Sequence, residues 1–522
     1  MKRLILTAPQ EHWQELRQSL LQEDGKERQA FLELGLREDA DTLELLLHRS
    51  LVLADADYVS QGRYQVQPRP QAVIRAYNSF LQANVLVHGH IHSHPFAAAA
   101  VGFSRVDQHS LQEMRRGLAD LLAGGKIFRE AFCFQMVIGQ KPNSFQGILL
   151  DLRGEVLGDL DEVRLIGPSG WQTFSREEAA PAAGLGSLDE RWDRNIRWLG
   201  EAGQQQLRQT HVALCGLGGL GALLVANLRG LGLGEITLVD PERLEMSNLN
   251  RFVGAGIEDV GSYKVDICRR EIRRVAPETV VHTFAAGVED GGVQEHLRQA
   301  DLIVAAVDGM QPRATLQVLA ARFLKPLFDL GSGILVEPDG RIRRQGSQIV
   351  VYLPGGPCLA CQGLDLFRPT EGIAGEIRRQ TGYVVGRPEE GTPTAVTTIN
   401  AVAAGWAVDH IIKFLTGLAP IPLYTQINQW QGTVSQYRYQ KKITCPICGA
   451  TNIEGKGEDR GALPPSREPT AGWLLEAQDH AAANQETAAV PLTTVLEACG
   501  CPLTIFWPPV CLPAERLDGD NQ

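Results

Sequence analysis

Two groups of residues in this sequence have types and spacings that could do chemistry. The first is His88-Gly89-His90-Ile91-His92-Ser93-His94-Pro95, followed by Ser104-Arg105-Val106-Asp107. Side chains alternate along an extended chain, so His88, His90, His92 and His94 point to one side. Two imidazoles at i and i+2 can grip one zinc ion, and Asp107 can add a carboxylate. Such a set leaves a fourth position for water, which is the layout of a catalytic zinc site. There the metal lowers the pKa of water and polarises a carbonyl. Ser104 before a helical pattern at 108–122 is also a capping signal, with Asp107 in the first turn.

The second group is Cys215-Gly216-Leu217-Gly218-Gly219-Leu220-Gly221. It lies between an apolar strand at 211–214 and an apolar helix at 222–231. A second strand, 235–239, ends at Asp240. Glycines at 216, 218, 219 and 221 let the backbone turn tightly and approach a phosphate, which then meets the free amides of a helix N-terminus. An acid ending the next strand can take a ribose hydroxyl. This much says only adenine nucleotide, and an NAD enzyme is its commonest owner. The residues that follow discriminate. Asn248 and Arg251 lie in Ser247-Asn248-Leu249-Asn250-Arg251, Lys264 opens a helix after Gly261-Ser262-Tyr263, and a strand at 302–307 ends at Asp308. A dehydrogenase does not need these groups at the phosphates. An enzyme that splits ATP between its α- and β-phosphates does, with cations against the developing charge and a carboxylate for Mg2+.

In this combination, residues 190–449 resemble the ThiF/MoeB-type adenylyltransferases, relatives of ubiquitin-activating enzymes. The resemblance implies that Asp240 holds the ribose, that Asn248, Arg251 and Lys264 contact the phosphates, and that Asp308 holds magnesium. It also implies that Arg194, in Arg191-Trp192-Asp193-Arg194-Asn195-Ile196, reaches the ATP across a homodimer interface. Cys358-Leu359-Ala360-Cys361 and Cys445-Pro446-Ile447-Cys448 supply four thiolates for a closed, structural zinc site, where the family has one. Members that form a thioester carry a cysteine in the loop after the first pair, and none lies between Cys361 and Cys445. The acyl-adenylate then passes to a partner's thiol, to a sulfur donor, or to the tail cysteines 499, 501 and 511. Small apolar packing is the favoured reading of that tail, as it is of Cys133, Cys215 and Cys268.

The histidine segment resembles the JAMM (JAB/MPN) metalloisopeptidases. By that resemblance His92, His94 and Asp107 bind zinc, Ser104 steadies the oxyanion, and Glu27 is the general base with Glu33 as alternative. Nine residues separate His94 from Ser104, longer than the family pattern, with the surplus in the alanine-rich stretch 97–100. His88 and His90 read as core or supporting residues.

These sites need elements to hold them, and 522 residues suffice for several domains. The expected class is α/β: residues 1–155 form a JAB/MPN-like α/β zinc domain and 156–187 a linker. Residues 188–450 form a Rossmann-like, doubly wound ThiF-type domain with the four-cysteine zinc site, and 451–522 a tail with a possible small subdomain. Expected N-terminal elements are a helix at 11–22 and strands at 30–36, 43–47 and 64–67; 162–166 is a strand that could still belong to this unit. The net charge of −11 argues against broad nucleic-acid or anionic-membrane binding. No apolar run reaches spanning length, and no secretory leader is evident. The chain reads as cytoplasmic, with cysteines for metal and reactivity rather than disulfides.

The function expected is ATP-dependent activation of the C-terminal Gly-Gly carboxylate of a ubiquitin-like protein, coupled to zinc-dependent trimming or deconjugation there. Rival readings are sulfur-carrier activation for cysteine or cofactor synthesis, adenylation of a peptide or natural product, and an inactive zinc-bound scaffold. ATP, Mg2+ and two Zn2+ ions, one catalytic and one structural, are the implied cofactors.

Overall fold

The computed structural model describes residues 2–62, 66–95, 101–124, 130–176, 190–336, 342–364, 366 and 396–459. The chain opens with β1 (Arg3–Pro9), α1 (Gln10–Leu20), β2 (Gln29–Glu38) and β3 (Thr42–Val52). A short hairpin, β4 (Tyr58–Gln61) and β5 (Val66–Pro68), leads to α2 (Pro70–Ala83) and β6 (Val87–Ser93). Next come α3 (Arg105–Ala123), β7 (Phe132–Ile138), β8 (Phe145–Asp151), β9 (Val156–Gly167) and β10 (Gly170–Ser175). Eight of these strands form one sheet in the order β1-β3-β2-β6-β7-β8-β9-β10, and β1 also pairs with β9. The sheet therefore closes on itself and leaves few open edges. Leu4, Leu6, Leu32, Leu34, Phe134 and Leu160 fill it.

The second unit contains α4 (Asp193–Arg208), β11 (His211–Cys215), α5 (Gly219–Leu228), β12 (Glu235–Val239), α6 (Lys264–Arg273) and β13 (Val280–Phe284). It continues through α7 (Gly291–Leu297), β14 (Leu302–Ala305), α8 (Met310–Arg322), β15 (Leu327–Val336) and β16 (Ile342–Tyr352). It closes with α9 (Thr397–Thr416), β17 (Tyr424–Asn428) and β18 (Thr433–Tyr437). Its sheet runs β13-β12-β11-β14-β15-β16-β17-β18. The first five strands are parallel and the last three join antiparallel. β11 lies between β12 and β14, so the strand order reverses there, the place where open α/β sheets bind ligands outside the carboxyl ends of their strands. The apolar α9 packs on α5 and on β15 and β16, burying Ala403, Ala407, Ile411 and Phe414.

Two expectations about organisation are corrected. Within 156–175, expected as linker except for a strand at 162–166, the chain forms β9 and β10; the strand lies inside β9, which pairs with β1 over Leu160–Ile166 and so belongs to the first unit. Their glycines serve the hairpin between these strands, where Gly170 has φ +88°. Residues 450–458, of which 451–458 were expected to begin the C-terminal tail, form a strap wedged between the two units. The Gly35 amide donates to Gly455 O at 3.1 Å, Gly455 N donates to Ala321 O at 3.0 Å, and Glu458 N donates to Leu36 O at 2.7 Å. A Cβ on Gly35 would lie 2.2 Å from Gly455 O, so the backbones meet only without a side chain. Beneath the strap, buried Glu44 accepts from Arg37 Nε at 2.6 Å and from Thr7 Oγ1 at 2.5 Å, and faces Lys325 Nζ of the second unit at 3.8 Å. Despite its burial, these cations hold the Glu44 carboxyl well below the usual carboxylate range, and burial pushes Lys325 down to about 8. The stretch 97–100, the linker remainder at 177–189, the turn at 338–340 and the tail with Cys499, Cys501 and Cys511 lie outside the described residues.

Candidate active sites

In the N-terminal unit β6 ends at Ser93 and delivers His92 from the sheet, while His94 follows at once and α3 brings Asp107 across. His92 Nε2 lies 3.2 Å from His94 Nε2 and 3.1 Å from Asp107 Oδ1. His94 Nε2 is 3.9 Å from Asp107 Oδ2 and 3.8 Å from Glu27 Oε1. Four-coordinate zinc with bonds of about 2.0–2.1 Å holds its ligands at separations of this order. Two imidazole nitrogens and a carboxylate oxygen thus face one point, and the donor set fits zinc. The longer spacing after His94 does not keep Asp107 away.

Asp107 does two things through two oxygens. Oδ2 accepts from Ser104 N at 2.6 Å, while the Asp107 amide donates to Ser104 Oγ at 3.2 Å. This is a reciprocal cap of α3, and it aims Oδ1 at His92. Ser104 is exposed, and its hydroxyl proton is not used by that cap. Glu27 is buried, and burial together with the Asp107 charge pushes its carboxyl up to about 7. Glu33 is elsewhere: it sits opposite His88 in the β2–β6 register and accepts from Ser79. His88 stacks among Phe31, Tyr77 and Phe80, and His90 contacts Gln29 Oε1 at 3.2 Å. Neither joins the cluster of His92, His94 and Asp107.

In the second unit the glycine turn follows β11. Gly216 has φ +88°, and a Cβ there would lie 2.5 Å from Ala306 O, at the end of β14. Gly221 lies against Gly216 O, where a Cβ would come within 2.1 Å. Gly218 caps α5 without a side-chain acceptor and faces open space, and Gly219 packs against Arg251. The first amides of α5 are left for an anion, which fits a phosphate. Asp240 is buried, accepting from Leu217 N at 2.6 Å and Glu242 N at 2.8 Å, so it also fastens the glycine turn. Burial raises its carboxyl. Asp308 is exposed just beyond β14, at the same end of the sheet. Lys264 begins α6, buried and paired with Glu242. Arg251 donates to Ser247 O at 2.8 Å and Asn250 Oδ1 at 3.0 Å, and Asn248 is half-buried in the same loop. Arg194 stands apart on α4 with its side chain 87% exposed.

Several supporting residues escaped the sequence reading. Buried Arg313 donates to Asp329 Oδ1 at 2.7 Å and to Gly309 O at 3.3 Å, holding the loop after Asp308. A charged residue among the apolar residues of α8 was the available signal. Asn400 of α9 accepts from Ser332 at 2.6 Å and borders Gly219, and Thr397 Oγ1 donates to Asn250 O at 2.7 Å. The first turn of α9 thereby backs the phosphate loop, which no local motif announces.

The four cysteines Cys358, Cys361, Cys445 and Cys448 are buried, with all sulfurs within 4.8 Å of one another. Sγ of Cys358 and Cys445, and of Cys361 and Cys448, lie 3.5 Å apart. Zinc–sulfur bonds of about 2.3 Å suit this cage, and the donor set fits a structural zinc. Cys133, Cys215 and Cys268 are buried, and burial raises all three thiols. Among the described residues no helix is long and apolar enough to cross a membrane.

Residues 192–447 match the model of the ThiF family. Over 274 residues the chain is 30% identical to the SAMP-activating enzyme E1 of Haloferax volcanii, covering 51% of this chain and 90% of that protein. It is 27% identical over 261 residues to the sulfur carrier protein adenylyltransferase of Thermus thermophilus, covering 48% and 86%. It is 26% identical over 249 residues to the adenylyltransferase and sulfurtransferase UBA4 of Candida albicans, covering 47% of this chain and 52% of that protein.

Proposed function

This chain belongs to the ThiF family, and from that membership we propose that it adenylates the C-terminal carboxylate of a ubiquitin-like or sulfur carrier protein. The relatives named for activating such proteins support this substrate class. The observation that carries the reading is the meeting of the glycine turn, Asp240 and Asp308 at the place where the strand order reverses. An oxygen of the substrate carboxylate attacks the α-phosphorus of ATP. The bond from that phosphorus to the bridging oxygen breaks, and pyrophosphate leaves with the electron pair. Amides at the start of α5 bind the phosphates. Asp240 uses its remaining lone pairs for the ribose, and Asn248, Arg251 and Lys264 oppose the charge that develops. Lys264 exchanges its contact with Glu242 for the phosphates. Asp308 would hold Mg2+, which supplies charge neutralisation when bound. In a homodimer, the exposed Arg194 serves the partner's nucleotide.

The four-cysteine cage is read as a structural zinc site. The loop after Cys361 has no cysteine, so the acyl-adenylate passes to a thiol or sulfur donor of a partner protein, or to a cysteine of the tail.

For the N-terminal unit the reading is a JAMM-type peptidase acting at the same C-terminus. The convergence of His92, His94 and Asp107, with Glu27 beside them, supports it. Bound zinc would supply Lewis acidity there. Glu27 holds and moves the proton between water and the leaving amine, and Ser104 donates to the carbonyl oxygen as it gains charge.

The test is ATP–pyrophosphate exchange by the full-length chain with candidate partners ending in Gly-Gly. Partner-dependent exchange is expected, lowered at least about 100-fold in Asp308→Ala. Exchange that needs no protein partner, or is unchanged in Asp308→Ala, contradicts the assignment.

A further inference from the structure

A third group of metal-ligating residues lies outside both sites. His211 and Glu235 are the first residues of β11 and β12 and are directly opposite one another in the parallel register. Thr237 is two residues along β12, and His282 of β13 is its register partner. Alternation along the strands puts all four on one face of the sheet. α7 crosses that face and brings His296 from its last turn.

The contacts are specific. His211 Nδ1 is 3.4 Å from Glu235 Oε1, and His282 Nε2 is 3.0 Å from the same oxygen. Ligand atoms of His211, Glu235 and His296 all lie within 4.8 Å of one another. The His296 ring is 4.3 Å from that of His282 and 6.0 Å from that of His211. His296 Nε2 is buried and has no hydrogen-bond partner. An unpaired buried donor or acceptor is unfavourable, and an ion at the centre of the group would satisfy it. The geometry accommodates this: His211 Nε2 lies 2.8 Å from Thr237 Oγ1, so the tautomer with its proton on Nε2 can donate to the hydroxyl and leave the Nδ1 lone pair facing Glu235.

We propose that His211 Nδ1, Glu235 and His296 Nε2 form a third metal site, for a divalent transition ion of the zinc class, with His282 orienting the carboxylate. Imidazole and carboxylate donors suit Zn2+, Co2+ or Ni2+ better than Mg2+ or Ca2+. The site lies at the starts of β11 and β12, while the glycine turn follows the end of β11. The ion therefore bolts α7 to β11 and β12 from the end remote from the nucleotide. Glu235 and His296 are half-buried, so the ion exchanges with solvent.

The test is metal counting on the full-length chain after equilibrium dialysis against micromolar Zn2+, read by elemental analysis. The wild type should hold one equivalent per chain more than His296→Ala and Glu235→Gln. His282→Ala should keep the stoichiometry at high Zn2+ but bind about 10- to 100-fold more weakly. Only differences are read, so the result does not depend on the other two sites or on any activity. Dialysis against Co2+ should give visible absorption bands that weaken in His296→Ala by the share this site contributes. Equal metal content in the wild type, His296→Ala and Glu235→Gln would overturn the proposal and leave Glu235 as a carboxylate paired with histidines. Should His296→Ala lose its fold by circular dichroism, the near-isosteric Glu235→Gln decides alone.

Discussion

Asp107 carries two duties on one carboxylate: one oxygen closes the cap of α3 and the other faces His92. The carboxylate of its neighbour Glu27 is turned toward His94 instead. Replacing Glu27 by Gln keeps shape and removes the ability to accept a proton. In the proposed peptidase, Glu27→Gln should retain bound zinc and lose about 10²- to 10⁴-fold in amide hydrolysis. Metal analysis beside a cleavage assay on a Gly-Gly-linked substrate checks this, and undiminished cleavage would remove Glu27 from the mechanism. At this scale the sequence was informative where the clustered donor residues sit close together in the chain, as in His92 and His94 or the two CxxC pairs. It was silent on His211, Glu235, His282 and His296, because four separate elements bring them together and no short spacing marks them.

At the scale of elements, α3 shows how a helix start can serve a site. Ser104 is both its cap and the residue proposed to donate to an oxyanion, and one substitution can separate the roles. Glycine is nearly as good a cap as serine, with a loss of only a few tenths of a kcal/mol. Ser104→Gly should therefore leave the denaturant midpoint almost unchanged while lowering peptidase turnover about 10²-fold or more. Ser104→Ala should lose turnover and about 1 kcal/mol together. Urea titrations beside cleavage rates distinguish the two, and full turnover in Ser104→Gly would reduce Ser104 to a cap. The strand–turn–helix run at 211–240 was legible because its periodicity changes from strand to helix across glycines. The middle of β9 reads as a strand in the sequence, but its ends and β10 read as linker because glycine density signals both loose connection and close packing. Only the pairing of β9 with β1 separates these meanings.

At the scale of the molecule, the two units meet across the strap at 450–458. His48 on β3 is buried and donates Nδ1–H to Glu454 O at 2.6 Å. Burial pushes its pKa from 6.5 down to about 3, against the raising effect of that hydrogen bond, with Arg49, Lys456 and His12 adding smaller lowering effects. His48 is thus neutral in the fold. Its contribution to stability is full above pH 6.5 and falls as pH drops toward 3, by about 2 kcal/mol at pH 5. Raised Glu454 acts in the opposite sense, since its protonated form is favoured in the fold. Hydrogen exchange of the strap amides should accelerate between about pH 6.5 and 5, after correction for intrinsic rates, and less so in His48→Gln. An equal pH response in the variant would exclude His48 as the cause. The strap was not legible in advance, because its glycines and charged residues resemble a solvated linker until Gly35 and Gly455 are seen back to back.

That strap also sets an order of events for the chain as it is made. The Glu38 amide is closed by the Glu458 carboxylate, 420 residues further on. A ribosome adding about 5–20 residues per second takes on the order of a minute to cover that distance. Throughout that interval the Glu38 amide at the end of β2 lacks this partner, and the second unit must finish α8 before the strap can sit against both units. Pairings of such long range form slowly. The first unit, its sheet closed through β1 and β9, accordingly waits for the last described segment of its own chain to take its place.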